Sequence, residues 1–102
     1  MKNILITGAG KGIGYECVKV LAKEKNNLVY ALIRSKKDLR KFDKLKNVKS
    51  FLGDVNKKKD IDKIFKYALN NKVILNCLIN NAGIRQREEF LKISRNQLQE
   101  VF

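Results

Sequence analysis

Thr7-Gly8-Ala9-Gly10-Lys11-Gly12-Ile13-Gly14 is the stretch on which the reading of this chain turns. Before it, Asn3 to Thr7 is a short apolar run that reads as a buried strand. After it, Gly12 to about Glu24 repeats apolar residues at helical spacing. Glycines let the backbone turn tightly and approach a ligand closely. A helix that opens from such a turn points unpaired N–H groups and the positive end of its dipole at an anion. The spacing then narrows the choice. A Walker-type phosphate loop needs Gly-Lys followed by Ser or Thr, and here Lys11 is followed by Gly12. The G-x-G-x-x-G fingerprint, counted from Gly8, would need glycine at position 13, where Ile13 stands. What remains is T-G-x-x-x-G-x-G.

Outward from the loop, strands and helices alternate. Leu28 to Ile33 is a continuous apolar run, the mark of a strand covered on both faces. Ser35 to Lys46 reads as a short basic helix with Leu39, Phe42 and Leu45 on one side. Val48 to Leu52 reads as a third strand ending at Gly53-Asp54. Ile61, Ile64, Phe65, Ala68 and Leu69 mark an amphipathic helix with Asp60 near its start. Val73 to Ile79 reads as a fourth strand, and Ser94 as the cap of a last helix carrying Leu98, Val101 and Phe102. Alternation of this kind implies crossover connections and a parallel sheet. The expected architecture is one α/β domain over residues 1–102, a Rossmann-type parallel sheet with helices on both faces, truncated after about four strands.

Composition excludes several classes. With 44% hydrophobic and 32% charged residues, the chain is neither disordered nor a membrane protein by composition. It contains no histidine, which removes the commonest general base and metal ligand, and no metal site is expected. Cys17 and Cys77 lie in apolar segments without a CxxC spacing, as suits reduced, buried thiols of a cytoplasmic protein. No secretory signal or membrane-length segment is visible. The net charge of +13 raises nucleic acid as a partner, but the lysines are scattered and no aromatic residues interleave with them. Neither a nucleic acid nor a membrane is expected as a partner. The charge suits an anionic ligand.

Three motifs, each at the end of an expected strand, resemble the short-chain dehydrogenase/reductase family of classical type. They are T-G-x-x-x-G-x-G from Thr7 to Gly14, Asp54-Val55, and Asn80-Asn81-Ala82-Gly83, which matches the family's N-N-A-G. The resemblance covers the whole chain and implies a nicotinamide dinucleotide cofactor. The residues it points to are Gly8, Lys11, Gly12, Ile13, Gly14, Asp54, Val55, Asn81, Ala82 and Gly83, with Asp54-Val55 facing the adenine. Ligands of open parallel sheets bind at those strand ends.

The end of the second strand bears on which dinucleotide. NAD-selective sites carry an acidic residue there, about twenty residues after the glycine loop. This chain has Arg34 followed by Ser35, with no carboxylate expected nearby. A guanidinium can hold the 2′-phosphate of NADP bidentately, and Lys11 adds a cation within the loop. NADP (NADPH) is therefore expected, and NAD less so.

The family's reaction is hydride transfer between the nicotinamide and a small-molecule carbonyl or alcohol. Its Ser and Tyr-x-x-x-Lys set lies beyond N-N-A-G, so no catalytic residue is expected among these 102 residues. The one Tyr-x-x-x-Lys present, Tyr15 to Lys19, belongs to the first helix and reads as packing. The sequence ends at Glu100-Val101-Phe102 inside a helical pattern, so it reads as the N-terminal half of such an enzyme. Strand 73–79 would then be an exposed apolar edge, suited to self-association or to a partner supplying the C-terminal half. The alternative is a non-catalytic dinucleotide-binding module or a remnant fragment.

Overall fold

A computed structural model describes residues 2–81. Four parallel strands, β1 (Lys2–Thr7), β2 (Asn27–Ile33), β3 (Val48–Leu52) and β4 (Cys77–Asn80), form one sheet in the order β3-β2-β1-β4. Helix α1 (Gly12–Ala22) connects β1 to β2, and α2 (Lys58–Asn70) connects β3 to β4. The register runs Ile6 beside Ala31 and Ile79, and Ala31 beside Ser50.

The pleat of the two central strands explains why helices cover both sides. Ile4, Ile6, Val29, Ala31 and Ile33 project to one face, where they meet Val18 of α1 and Phe42. Leu5, Tyr30 and Leu32 project to the other, against Ile61, Ile64 and Phe65 of α2. The uninterrupted apolar run of β2 is thus divided residue by residue between two cores. The chain winds outward from β1 to β3, then returns through α2 to place β4 on the opposite side of β1. That reversal is the switch point at which open sheets of this kind leave a crevice. Among the described residues no helix is long and apolar enough to cross a membrane.

Three expectations need correction. The basic helix over 35–46 is instead a 3₁₀ turn, Lys36–Asp38, followed by further turns. Its bonds reach back three residues: Asp38 N–H to the Ser35 carbonyl, Lys41 to Asp38, Asp43 to Arg40 and Leu45 to Phe42. Residues 39, 42 and 45 recur every three, a period that stacks on one side of a 3₁₀ coil rather than an α-helix. They still pack against the α1 face of the sheet.

The fourth strand begins at Cys77 rather than Val73. The Asn3 side-chain amide donates to the Ile74 carbonyl at 2.9 Å, and the Asn3 N–H donates to Asn76 Oδ1 at 2.8 Å. These side-chain bonds, with the Asn76 N–H donating to the Asn3 carbonyl at 2.8 Å, tie segment 73–76 to β1 ahead of the regular ladder.

Cys77 is exposed, not buried. It shares a face with Ile4, its register partner, but it stands on the outer strand of the described sheet. The expected helix after Ser94 lies outside the described residues.

Candidate dinucleotide cleft

A cleft of about 400 Å³ lies across the C-terminal ends of all four strands. Gly8, Gly10 and Lys11 follow β1, and Arg34, Ser35, Lys37 and Asp38 follow β2. Gly53, Asp54 and Val55 follow β3, and Asn81 follows β4. Seven residues singled out by sequence come together here: Gly8, Lys11, Arg34, Ser35, Asp54, Val55 and Asn81. Gly12 and Ile13 instead border a neighbouring apolar groove on α1, and Ile13 is 74% exposed. Ala82 and Gly83 lie outside the described residues.

The loop is shaped by close approach. Gly8 has a left-handed backbone, with φ of 61°. A Cβ on Gly14 would strike the Gly8 backbone and come within 2.7 Å of Asn81 Nδ2. Glycine at 14 therefore lets α1 begin directly against the first turn of the loop. The first turn of α1 carries no acidic residue, and Lys11, at its N-cap, makes no side-chain capping bond. The first intrahelical donor is the Tyr15 N–H, to the Lys11 carbonyl at 3.3 Å. The N–H groups ahead of it lack intrahelical acceptors, as at any helix start. An anion there meets unpaired donors and the positive dipole end.

Thr7 anchors this arrangement, and the sequence reading did not single it out. It is fully buried; its hydroxyl donates to Asn80 Oδ1 at 2.8 Å and accepts the Asn81 N–H at 3.0 Å. The Asn81 side-chain amide donates to the Gly8 carbonyl at 3.3 Å. The signal was available, since a threonine ending an otherwise apolar strand needs a partner for its hydroxyl once buried.

On the β3 side, Asp54 Oδ1 accepts the Asn56 N–H at 2.9 Å, and the Asp54 N–H donates to Asp60 Oδ2 at 2.9 Å. Val55 is buried in the α2 core while its edge lines the cleft. At the β2 end, Arg34 and Lys37 are exposed, and with Lys11 they make no ion pair among the described residues. The expectation of no carboxylate near Arg34 is corrected. The 3₁₀ turn brings Asp38, only 5% exposed, into the cleft wall. Its carboxylate pairs with Lys41 Nζ at 3.1 Å. A helical periodicity placed residue 38 by its neighbours 39 and 42, and so gave no hint that it turns inward.

Tyr15 plays the packing part read from the sequence. Its ring stacks on Phe42 at 5.3 Å between centroids, with the Lys19 and Lys41 ammonium groups over it at 5.0 and 5.2 Å.

A uniformly parallel sheet, a glycine turn entering a helix, and a cleft at the strand ends define a Rossmann-like α/β fold among the described residues. The chain belongs to the short-chain dehydrogenase family, whose model matches residues 2–102. It is 38% identical over 85 residues to 3-amino-tetrahydro-pyrrolizinone reductase of Xenorhabdus hominickii, covering 81% of this chain and 29% of that protein. It is 27% identical over 107 residues to diacetyl reductase [(S)-acetoin forming] of Staphylococcus epidermidis, covering 99% of this chain and 41% of that one. A solved short-chain dehydrogenase/reductase of Saccharomyces cerevisiae superposes with a TM-score of 0.81 at 22% identity, over 98% of this chain and 50% of that chain. The structure of 4-hydroxyisoleucine dehydrogenase complexed with NADH gives 0.79 at 24% identity, over 98% and 49%. The chain thus spans half or less of the length of these proteins.

Proposed function

We propose that this chain is the cofactor-holding part of an NADP(H)-dependent oxidoreductase that moves hydride between the nicotinamide and a small-molecule carbonyl or alcohol. The observation that carries the reading is a group of cations, Lys11, Arg34 and Lys37, that make no ion pair among the described residues and line a cleft at the ends of four parallel strands. The donor set fits a phosphorylated dinucleotide. The N–H groups at the start of α1, from Gly12 through Gly14, with Lys11 beside them, suit the diphosphate. Arg34 and the Ser35 hydroxyl suit a phosphate on the adenosine ribose. Asp54 and Val55 offer a polar edge and an apolar wall to the adenine. Asn81 braces the loop, and Ala82 and Gly83 complete its motif.

When bound, the nicotinamide supplies or accepts the hydride, and the residues described here bind and orient it. The acid–base residues belong to the part of the protein beyond this stretch, whose strands would pair along the outer edge of β4. Two relatives are reductases by name, which supports reduction of a small carbonyl. NADH in the 4-hydroxyisoleucine dehydrogenase complex makes NAD(H) the necessary comparison.

The test is equilibrium titration of the chain with NADPH, NADH and a short nucleic-acid duplex. Saturable binding of NADPH, tighter than NADH and with little duplex affinity, is the expected result. Tighter NADH binding would reverse the cofactor assignment, and duplex binding alone would overturn the reading.

A further inference from the structure

The Lys41 ammonium lies outside the cleft, yet it touches two groups that shape it. It donates to the Gly10 carbonyl at 2.8 Å and pairs with Asp38 Oδ1 at 3.1 Å. Asp38 lies so close to the loop that a Cβ on Gly10 would come within 3.3 Å of its Oδ2. The Asp38 side chain is 8% exposed and that of Lys41 38%, so the pair is screened from solvent on the carboxylate side. A carboxylate at this end of the second strand would ordinarily accept ribose hydroxyls and repel a ribose phosphate. Here it stands in the same wall as Arg34, and its charge is matched by a cation from behind.

We infer that Lys41 is a positioning residue for cofactor choice: by holding Asp38 against the Gly10 carbonyl and balancing its charge, it leaves Arg34 to set the sign of the field at the ribose. The inference rests on the dinucleotide reading of the cleft. The chain carries a carboxylate of the NAD-favouring kind and a built-in lysine that silences it. Without Lys41, the buried carboxylate would face the cleft uncompensated, disfavouring NADPH and leaving NADH unaffected or favoured.

The experiment measures dissociation constants for NADPH and NADH with the unaltered chain, Lys41→Met, Lys41→Arg, Asp38→Asn, and the double variant Lys41→Met/Asp38→Asn. The ratio of the two constants is the readout, because a partly unfolded sample weakens both by the same factor. Lys41→Met should shift the ratio toward NADH by about tenfold or more, the size expected for one uncompensated charge in a partly buried site. Lys41→Arg should retain the original ratio, and the double variant should return toward it. Asp38→Asn alone should hold the ratio or move it further toward NADPH. This last variant carries the test if Lys41→Met does not fold. An unchanged ratio in Lys41→Met would overturn the inference while leaving the cleft reading intact, as would no recovery in the double variant or a shift toward NADH in Asp38→Asn. Absence of binding to either cofactor by the unaltered chain would overturn the cleft reading, and the inference with it.

Discussion

The Thr7 hydroxyl accepts the Asn81 N–H at 3.0 Å, joining residues 74 positions apart at the point where β1 becomes the glycine loop. Its proton goes to Asn80 Oδ1, so one small buried group serves two consecutive asparagines. Thr7→Val keeps the shape and removes both of these bonds. It should cost about 1–3 kcal/mol in stability, the range for stranding buried polar groups. Thr7→Ser should retain most of it. Urea unfolding of the two variants decides, and equal stability of Val and wild type would show that the hydroxyl is dispensable.

Arg34→Asp should weaken NADPH binding by about tenfold to a hundredfold, the worth of a charge-assisted bond. NADH binding should change far less. Equal losses for both cofactors in a fluorescence titration would show that Arg34 does not read the ribose phosphate.

Gly14→Ala should destabilise by about 1–3 kcal/mol, because the added methyl meets the Gly8 backbone, which has no rotamer with which to yield. Dinucleotide binding should fall with it, since the start of α1 must retreat from the loop. A melt coincident with wild type would contradict this placement of helix against loop.

Tyr30 supplies a pH prediction. Burial, and secondarily the neighbouring Tyr67, push its hydroxyl above the ordinary 10.0. The folded protein therefore holds this proton more tightly than the unfolded chain. Its contribution to stability is complete below pH 10.0 and is lost as pH climbs from there through the folded value. Tyr30→Phe should flatten this part of the stability profile above pH 10.0, measured as the difference between the two proteins so that lysine titration cancels.

Which parts of this molecule could be read in its residues follows from how local their determinants are. The run from Leu28 to Ile33 announced a strand covered twice because both faces of it are apolar, whatever the neighbours. The glycine loop announced its position because chain direction reverses within eight residues of sequence. The segment after Arg34 misled, because a repeat of three satisfies a helical pattern and a 3₁₀ coil almost equally over so short a length. That difference turns Asp38 into the cleft. The start of β4 was equally hidden, since it depends on Asn3, at the far end of the chain, capturing the carbonyl of Ile74. Thr7 was quoted as part of a motif, yet its role depends on Asn80 and Asn81 arriving beside it.

The Asn47 side-chain amide, just before β3, donates to the carbonyls of Ala22 at 2.9 Å and Asn27 at 3.1 Å, on either side of the turn that leaves α1. The end of the first helix is therefore finished by a residue 25 positions further on. The consequence is one of timing and breathing: local bonds serve the Val20 and Leu21 carbonyls, but the Asn47 bond to Ala22 forms only once the segment before the third strand docks. Amide exchange should find the last turn of α1 and the start of β3 opening as one event, a single cooperative unit that no division of the chain at residue 34 would preserve.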